Sequence, residues 1–166
     1  MNIFDQDITA LSTTVLEKCR VRKWQLATAE SCTGGLIGGA LTDIAGSSDV
    51  FDRGFITYTN IAKNRMIGVD TAILRAHGAV SEEVVREMAL GALDKASVDI
   101  TVAVTGIAGP GGGSETKPVG RVHLAVATKS GITEHRKMDY GDIGRSEVRI
   151  ATLKTALEML DKALNS

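Results

Sequence analysis

Four stretches of this chain bring together residue types that can do covalent chemistry or hold an anion. The first is Thr28-Ala29-Glu30-Ser31-Cys32-Thr33-Gly34-Gly35. It lies where a short apolar segment gives way to a helical one, and a hydroxyl at such a turn sits at the mouth of an open α/β sheet. The free N–H groups of the helix start can hold a phosphate or an oxyanion. Gly34 and Gly35 let a ligand approach the backbone, while Ser31 or Thr33 can equally serve as a plain helix cap. Cys32 is a rival nucleophile, or a small buried hydrophobe. The second stretch is Tyr58-Thr59-Asn60-Ile61-Ala62-Lys63. A neutral lysine can activate a serine where no histidine is at hand, provided desolvation or a nearby positive charge lowers its pKa. The plainer alternative for Lys63 is a solvated helix surface, and for Tyr58 a buried strand aromatic.

The third stretch is residues 106–120, which hold six of the 18 glycines and both prolines. The spacing of Gly106, Gly109, Gly111, Gly112 and Gly113 is neither a dinucleotide fingerprint nor an ATP-binding P-loop. A glycine-rich loop at the end of a strand can still wrap a ligand with backbone N–H groups, or remain a surface loop. Fourth, Arg145 and Arg149 stand at the start of the last helix, where an arginine can clamp a phosphate or pair with Asp142 or Glu147.

These stretches need elements to position them. Helical spacing over 5–22 is followed by a strand over 24–29 and a helix over 33–43. That helix carries four glycines, which predicts very close packing on something. A strand over 51–59, short helices over 60–67 and about 71–77, and a helix over 81–96 come next. A strand over 99–105 then leads into the glycine-rich loop. Strands over 121–128 and 132–138 form a tight hairpin, and a final helix begins near Ser146. The alternation predicts an α/β fold: one three-layer α/β/α domain over 1–166 with a mixed sheet that includes a C-terminal β-hairpin.

Composition narrows the function. With 19 basic and 20 acidic residues and a net charge of -1, the chain lacks the basic excess of a dedicated nucleic-acid binder. No stretch is long and apolar enough for a membrane helix, and the N-terminus does not read as a signal peptide. Cys19 and Cys32 lack metal or disulfide spacing, which points to reduced thiols in the cytoplasm. His77, His123 and His135 fit no zinc pattern, so no metal and no cofactor are expected. A homo-oligomer is compatible with all of this.

Taken together, these residues resemble the CinA C-terminal domain family. The match runs through Thr28–Gly35, Tyr58, Asn60 and Lys63, Gly68-Val69, His77–Ser81, Val104–Gly112 and Lys117–Gly120. The resemblance implies a nicotinamide-nucleotide amidohydrolase of Ser/Lys type, converting nicotinamide mononucleotide to nicotinate mononucleotide and ammonia in pyridine nucleotide recycling. Carried onto this chain, it makes Ser31 the nucleophile and Lys63 its base, with Tyr58 and Thr105 as supporting polar groups. Contacts to a small pyridine nucleotide are then expected from Thr33, Gly34, Gly35, Asn60, Thr105, Gly106, Gly109, Gly111, Gly112 and Arg145. One departure stands out: the family's Gly-Asp-Arg is interrupted here by Ile143-Gly144 between Asp142 and Arg145. The competing reading is a non-catalytic nucleotide-binding or competence- and damage-linked interaction module, which shares the loop but does not need Lys63.

Overall fold

The computed structural model describes residues 2–166. In chain order the elements are α1 (Gln6–Arg22), β1 (Leu26–Glu30), α2 (Leu36–Thr42), a 3-10 turn (Ser47–Asp49) and β2 (Phe51–Ile56). Then come α3 (Asn60–Ile67), α4 (Thr71–His77), α5 (Glu82–Ala96), β3 (Ile100–Gly106), β4 (Arg121–Thr128), β5 (Gly131–Asp139) and α6 (Arg145–Ala163). The strands form one sheet in the order β2-β1-β3-β4-β5. β1 runs parallel to both β2 and β3, while β4 and β5 add antiparallel to β3. This is the mixed α/β sheet that the alternating pattern predicts.

The faces of the sheet differ in side-chain size. Ile100, Val102 and Val104 of β3 and Val122, Leu124 and Val126 of β4 pack with Leu26 against α1, α2 and α6. The alternate positions, Ala29, Ala103, Ala125 and Ala127, lie under α5, which brings Ala89 and Ala92 to meet them. Small residues on both sides let α5 sit close, and Thr101 uses that proximity to donate to the Ala89 carbonyl at 2.8 Å.

Boundaries shift from the sequence expectation where local hydrogen bonds decide them. Trp24 follows α1 and closes its end, its N–H reaching back to the Cys19 carbonyl at 2.9 Å, so β1 starts later and includes Glu30. β2 stops at Ile56, because Thr59 is already the cap of α3, accepting from Ala62 N–H at 3.1 Å. α2 begins only at Leu36, after Gly34 and Gly35 at positive φ. Its glycines do mark close packing: a Cβ on Gly38 would stand 3.2 Å from the Phe51 ring.

The arrangement leaves a crevice at the carboxyl ends of β1, β2 and β3. β1 hands the chain to α2 on the aliphatic face, and β2 hands it to α3 on the alanine face. Such a divergence is where open α/β sheets bind ligands.

Candidate active site

Ser31 follows directly on β1. Its backbone is tied on both sides: the Ser31 N–H donates to the Val104 carbonyl at 3.1 Å, and the Ser31 carbonyl accepts from Gly34 N–H at 3.1 Å. The hydroxyl is 3.0 Å from Lys63 Nζ, across 32 residues of sequence. Lys63 sits one turn before Ile67 on the inner face of α3, and at 1 % exposure it is an unusually deep lysine. Among the described residues no carboxylate pairs with it. Its amine meets the Thr57 carbonyl at 2.8 Å and, at the limit of range, the Tyr58 carbonyl at 3.5 Å.

Burial therefore pushes the Lys63 ammonium down to about 8, with the nearby Cys32 opposing the shift. The partners suit a neutral amine. Its two N–H bonds have two carbonyls to take them, and the lone pair is left for the Ser31 hydroxyl proton. Cys32, beside it, is in the opposite condition: burial pushes its thiol up to about 12, so it stays protonated and is a poor nucleophile.

A cavity of about 260 Å³ opens over this pair. One wall is Ala79 and Val80, held by the buried Thr105 hydroxyl, which donates to the Ala79 carbonyl at 2.9 Å. The other is the glycine-rich loop, with Gly106, Gly109, Gly111 and Gly112 at the surface of the cavity. Among the described residues, the amides of Ala108, Gly109, Gly111 and Gly112 donate to no group of the chain. Arg145 closes the rim, donating to the Gly109 carbonyl at 2.8 Å and to the Tyr58 hydroxyl at 2.9 Å. Lys117 fixes the far end of the loop by donating to the His77 carbonyl at 2.5 Å.

A family model for the CinA C-terminal domain matches residues 8–164. The chain belongs to the CinA C-terminal domain family. Among curated relatives, the nicotinamide-nucleotide amidohydrolase PncC of Escherichia coli K12 is 51 % identical over 94 % of this chain and 94 % of its own length. A CinA-like protein of Geobacter sulfurreducens is 48 % identical over 93 % of this chain, which spans only 37 % of that longer protein. Another long relative, from Caldicellulosiruptor bescii, is spanned over 39 % of its length. Among solved structures, the competence/damage inducible protein CihA of Agrobacterium tumefaciens superposes with a TM-score of 0.97 at 55 % identity over the whole of both chains.

Within this CinA-family fold the structure brings together Ser31, Lys63, Asn60, Thr105, Gly106, Gly109, Gly111, Gly112 and Arg145 at one cavity. The two residues that separate Asp142 from Arg145 do not carry the arginine away from it. Other expected residues lie elsewhere. Thr33 is fully buried and gives its hydroxyl to Glu30 at 2.7 Å, so it faces away from the cavity. Gly34, at φ 59, makes room for the Arg149 guanidinium, 3.5 Å from where a Cβ would stand, and Gly35 backs onto Ile56. Neither lines the cavity. Tyr58 lines the cavity, but its ring is 57 % exposed and its hydroxyl is engaged with Arg145 rather than with Ser31 or Lys63. The expected catalytic Tyr58 thus stands at the rim of the same cavity as Ser31 and Lys63.

The sequence reading misses Glu30 and gives Arg149 a different task. Glu30 is 1 % exposed and accepts from five donors: the Thr33 and Thr28 hydroxyls and the N–H groups of Gly35, Ile37 and Gly38. The carboxylate caps α2 from inside, so those amides are not free for a substrate anion as the sequence suggested. Arg149 donates to the Cys32 and Thr33 carbonyls, both at 3.1 Å. The one visible signal for Glu30 is an acidic residue closing an apolar strand just before a helix start; Arg149 stands out as a candidate phosphate clamp, but it holds backbone carbonyls and does not line the cavity. Among the described residues no three His, Cys, Asp or Glu side chains converge as metal ligands, and no helix is long and apolar enough to cross a membrane.

Proposed function

We propose that this chain hydrolyses the carboxamide of nicotinamide mononucleotide, giving nicotinate mononucleotide and ammonia for pyridine nucleotide recycling, with Ser31 as nucleophile and Lys63 as its base. The observation that carries the reading is the 3.0 Å contact between Ser31 Oγ and a buried, carboxylate-free Lys63 amine. The high identity to the amidohydrolase PncC over most of both chains supports the substrate.

Lys63 Nζ takes the Ser31 proton as Oγ bonds to the carboxamide carbon. The Cys32 amide, which donates to no backbone carbonyl among the described residues and belongs to a residue lining the cavity, is the donor assigned to the resulting oxyanion; one such donor contributes about 3–4 kcal/mol. Collapse breaks the C–N bond, and the nitrogen leaves as ammonia with the proton returned from Lys63. A water then attacks the nicotinoyl ester, giving its proton to Lys63, which returns it to Ser31 Oγ as the acid departs. Arg145 and the free amides of the glycine loop offer donors for ribose and phosphate.

Ammonia release from nicotinamide mononucleotide by the wild type, compared with Ser31→Ala, tests this reading. Loss of turnover in the variant supports it. Full activity in the variant, or nucleotide binding by the wild type without ammonia, overturns it, the latter in favour of a binding module.

A further inference from the structure

We infer that Arg149 is a positioning residue for the Ser31 chemistry: from α6 it locks the peptide planes of the nucleophile turn and so fixes the direction of the Cys32 amide beside Ser31. The inference rests on the amidase reading above.

A peptide unit is planar and trans, so fixing its carbonyl fixes its N–H in the opposite direction. Arg149 Nη2 holds the Thr33 carbonyl at 3.1 Å, which sets the 33–34 peptide and with it the Gly34 N–H. That N–H donates to the Ser31 carbonyl at 3.1 Å, which sets the 31–32 peptide and with it the Cys32 N–H. Arg149 Nε holds the Cys32 carbonyl at 3.1 Å, so the intervening 32–33 peptide cannot turn either. One planar guanidinium thus constrains all three peptides after the nucleophile, a task suited to its rigid fork and unsuited to a point-charge ammonium.

Three features show that the contact is built rather than incidental. Gly34 has the positive φ and the missing Cβ that let the guanidinium lie over the turn. Arg149 stands one helical turn beyond Arg145, on the same face of α6, yet it is absent from the cavity wall that Arg145 helps to form. The opposite side of the turn is held by Glu30, which takes the Thr33 hydroxyl and the α2 amides. The turn is gripped by its carbonyls from α6 and by its donors from β1.

The test compares Arg149→Met and Arg149→Lys with wild type, using nicotinamide mononucleotide as substrate. Two further ligands are used: the product acid, and the pyridine-3-aldehyde analogue, whose C=O adds the Ser31 Oγ–H as a tetrahedral hemiacetal. Arg149→Met is expected to lower kcat about 10- to 100-fold with KM nearly unchanged. Affinity for the aldehyde should fall in parallel with kcat while affinity for the product acid holds, and Arg149→Lys should be intermediate. A purely structural role would weaken all three ligands together and overturns the proposal, as does an unchanged kcat. A raised KM at constant kcat also overturns it, by making Arg149 a substrate contact. If Arg149→Met does not fold, the same readouts on Arg149→Lys decide. Wild type without ammonia release overturns the amidase reading, whereas an active wild type with an indifferent Arg149 overturns this inference alone.

Discussion

Glu30 and Lys63 are both buried ionisable groups flanking Ser31, and they are treated in opposite ways. Glu30 is saturated by five donors, three of them amides of the α2 terminus. Among the described residues Lys63 has no counter-ion, only two carbonyls and the serine hydroxyl. A buried charge whose partners are complete holds structure in place; one whose partners are deliberately few is free to exchange a proton. The difference separates the part of the site that must not move from the part that reacts.

The sharpest way to break this comparison is to remove Lys63's amine. Lys63→Met should cut ammonia release about 1000-fold or more, as loss of a nucleophile–base unit does. Its Tm should stay level or rise, because a desolvated amine is replaced by an apolar side chain of similar length. A large drop in Tm would put Lys63 in the same class as Glu30. The converse variant, Glu30→Gln, sets an NH2 against N–H donors and should destabilise by about 2–4 kcal/mol. Urea unfolding checks this, and an unchanged midpoint would show that the α2 terminus does not need the carboxylate.

The pH dependences should also part. Because Lys63 must be neutral to act as base, kcat/KM should climb as pH rises through about 8. The stability sign follows from the same displacement. Folded Lys63 gives up its proton near 8 and the unfolded lysine only near its ordinary value, so between these the unfolded state binds more protons and stability rises with pH. Thermal melts from pH 7 to 10 should show an upward slope of at most about 1.4 kcal/mol per pH unit, absent in Lys63→Met. The smallest effect is expected at the rim. Tyr58→Phe removes one acceptor from Arg145 and should raise KM about 2- to 10-fold with little change in kcat. A large fall in kcat would return Tyr58 to the catalytic group.

What was legible in the sequence follows the same division. The mixed α/β fold could be read because β-branched strands and capped helices alternate with clear periods. Ser31 and Lys63 stood out by residue type and by the motifs around them. The tasks of Glu30 and Arg149 did not, because most of their partners are backbone amides and carbonyls, which every residue possesses and no spacing reveals. Thr33 and Gly35 lie off the cavity for a related reason: a helix start looks open to ligands until a carboxylate from its own strand fills it, while the Gly34 amide is taken by the Ser31 carbonyl.

The alanine face under α5 has a mechanical consequence. Ala79 and Val80 form a cavity wall only two residues before α5 begins at Glu82, and Thr105 of β3 tethers Ala79 to the sheet. The gap between α5 and the sheet is therefore a spacer that sets the aperture of the site. Its thickness is fixed by Ala103, Ala125 and Ala127, none of which lines the cavity. A single added methyl at that spacer wedges the helix outward and retunes the aperture from behind, leaving the reacting groups themselves unaltered.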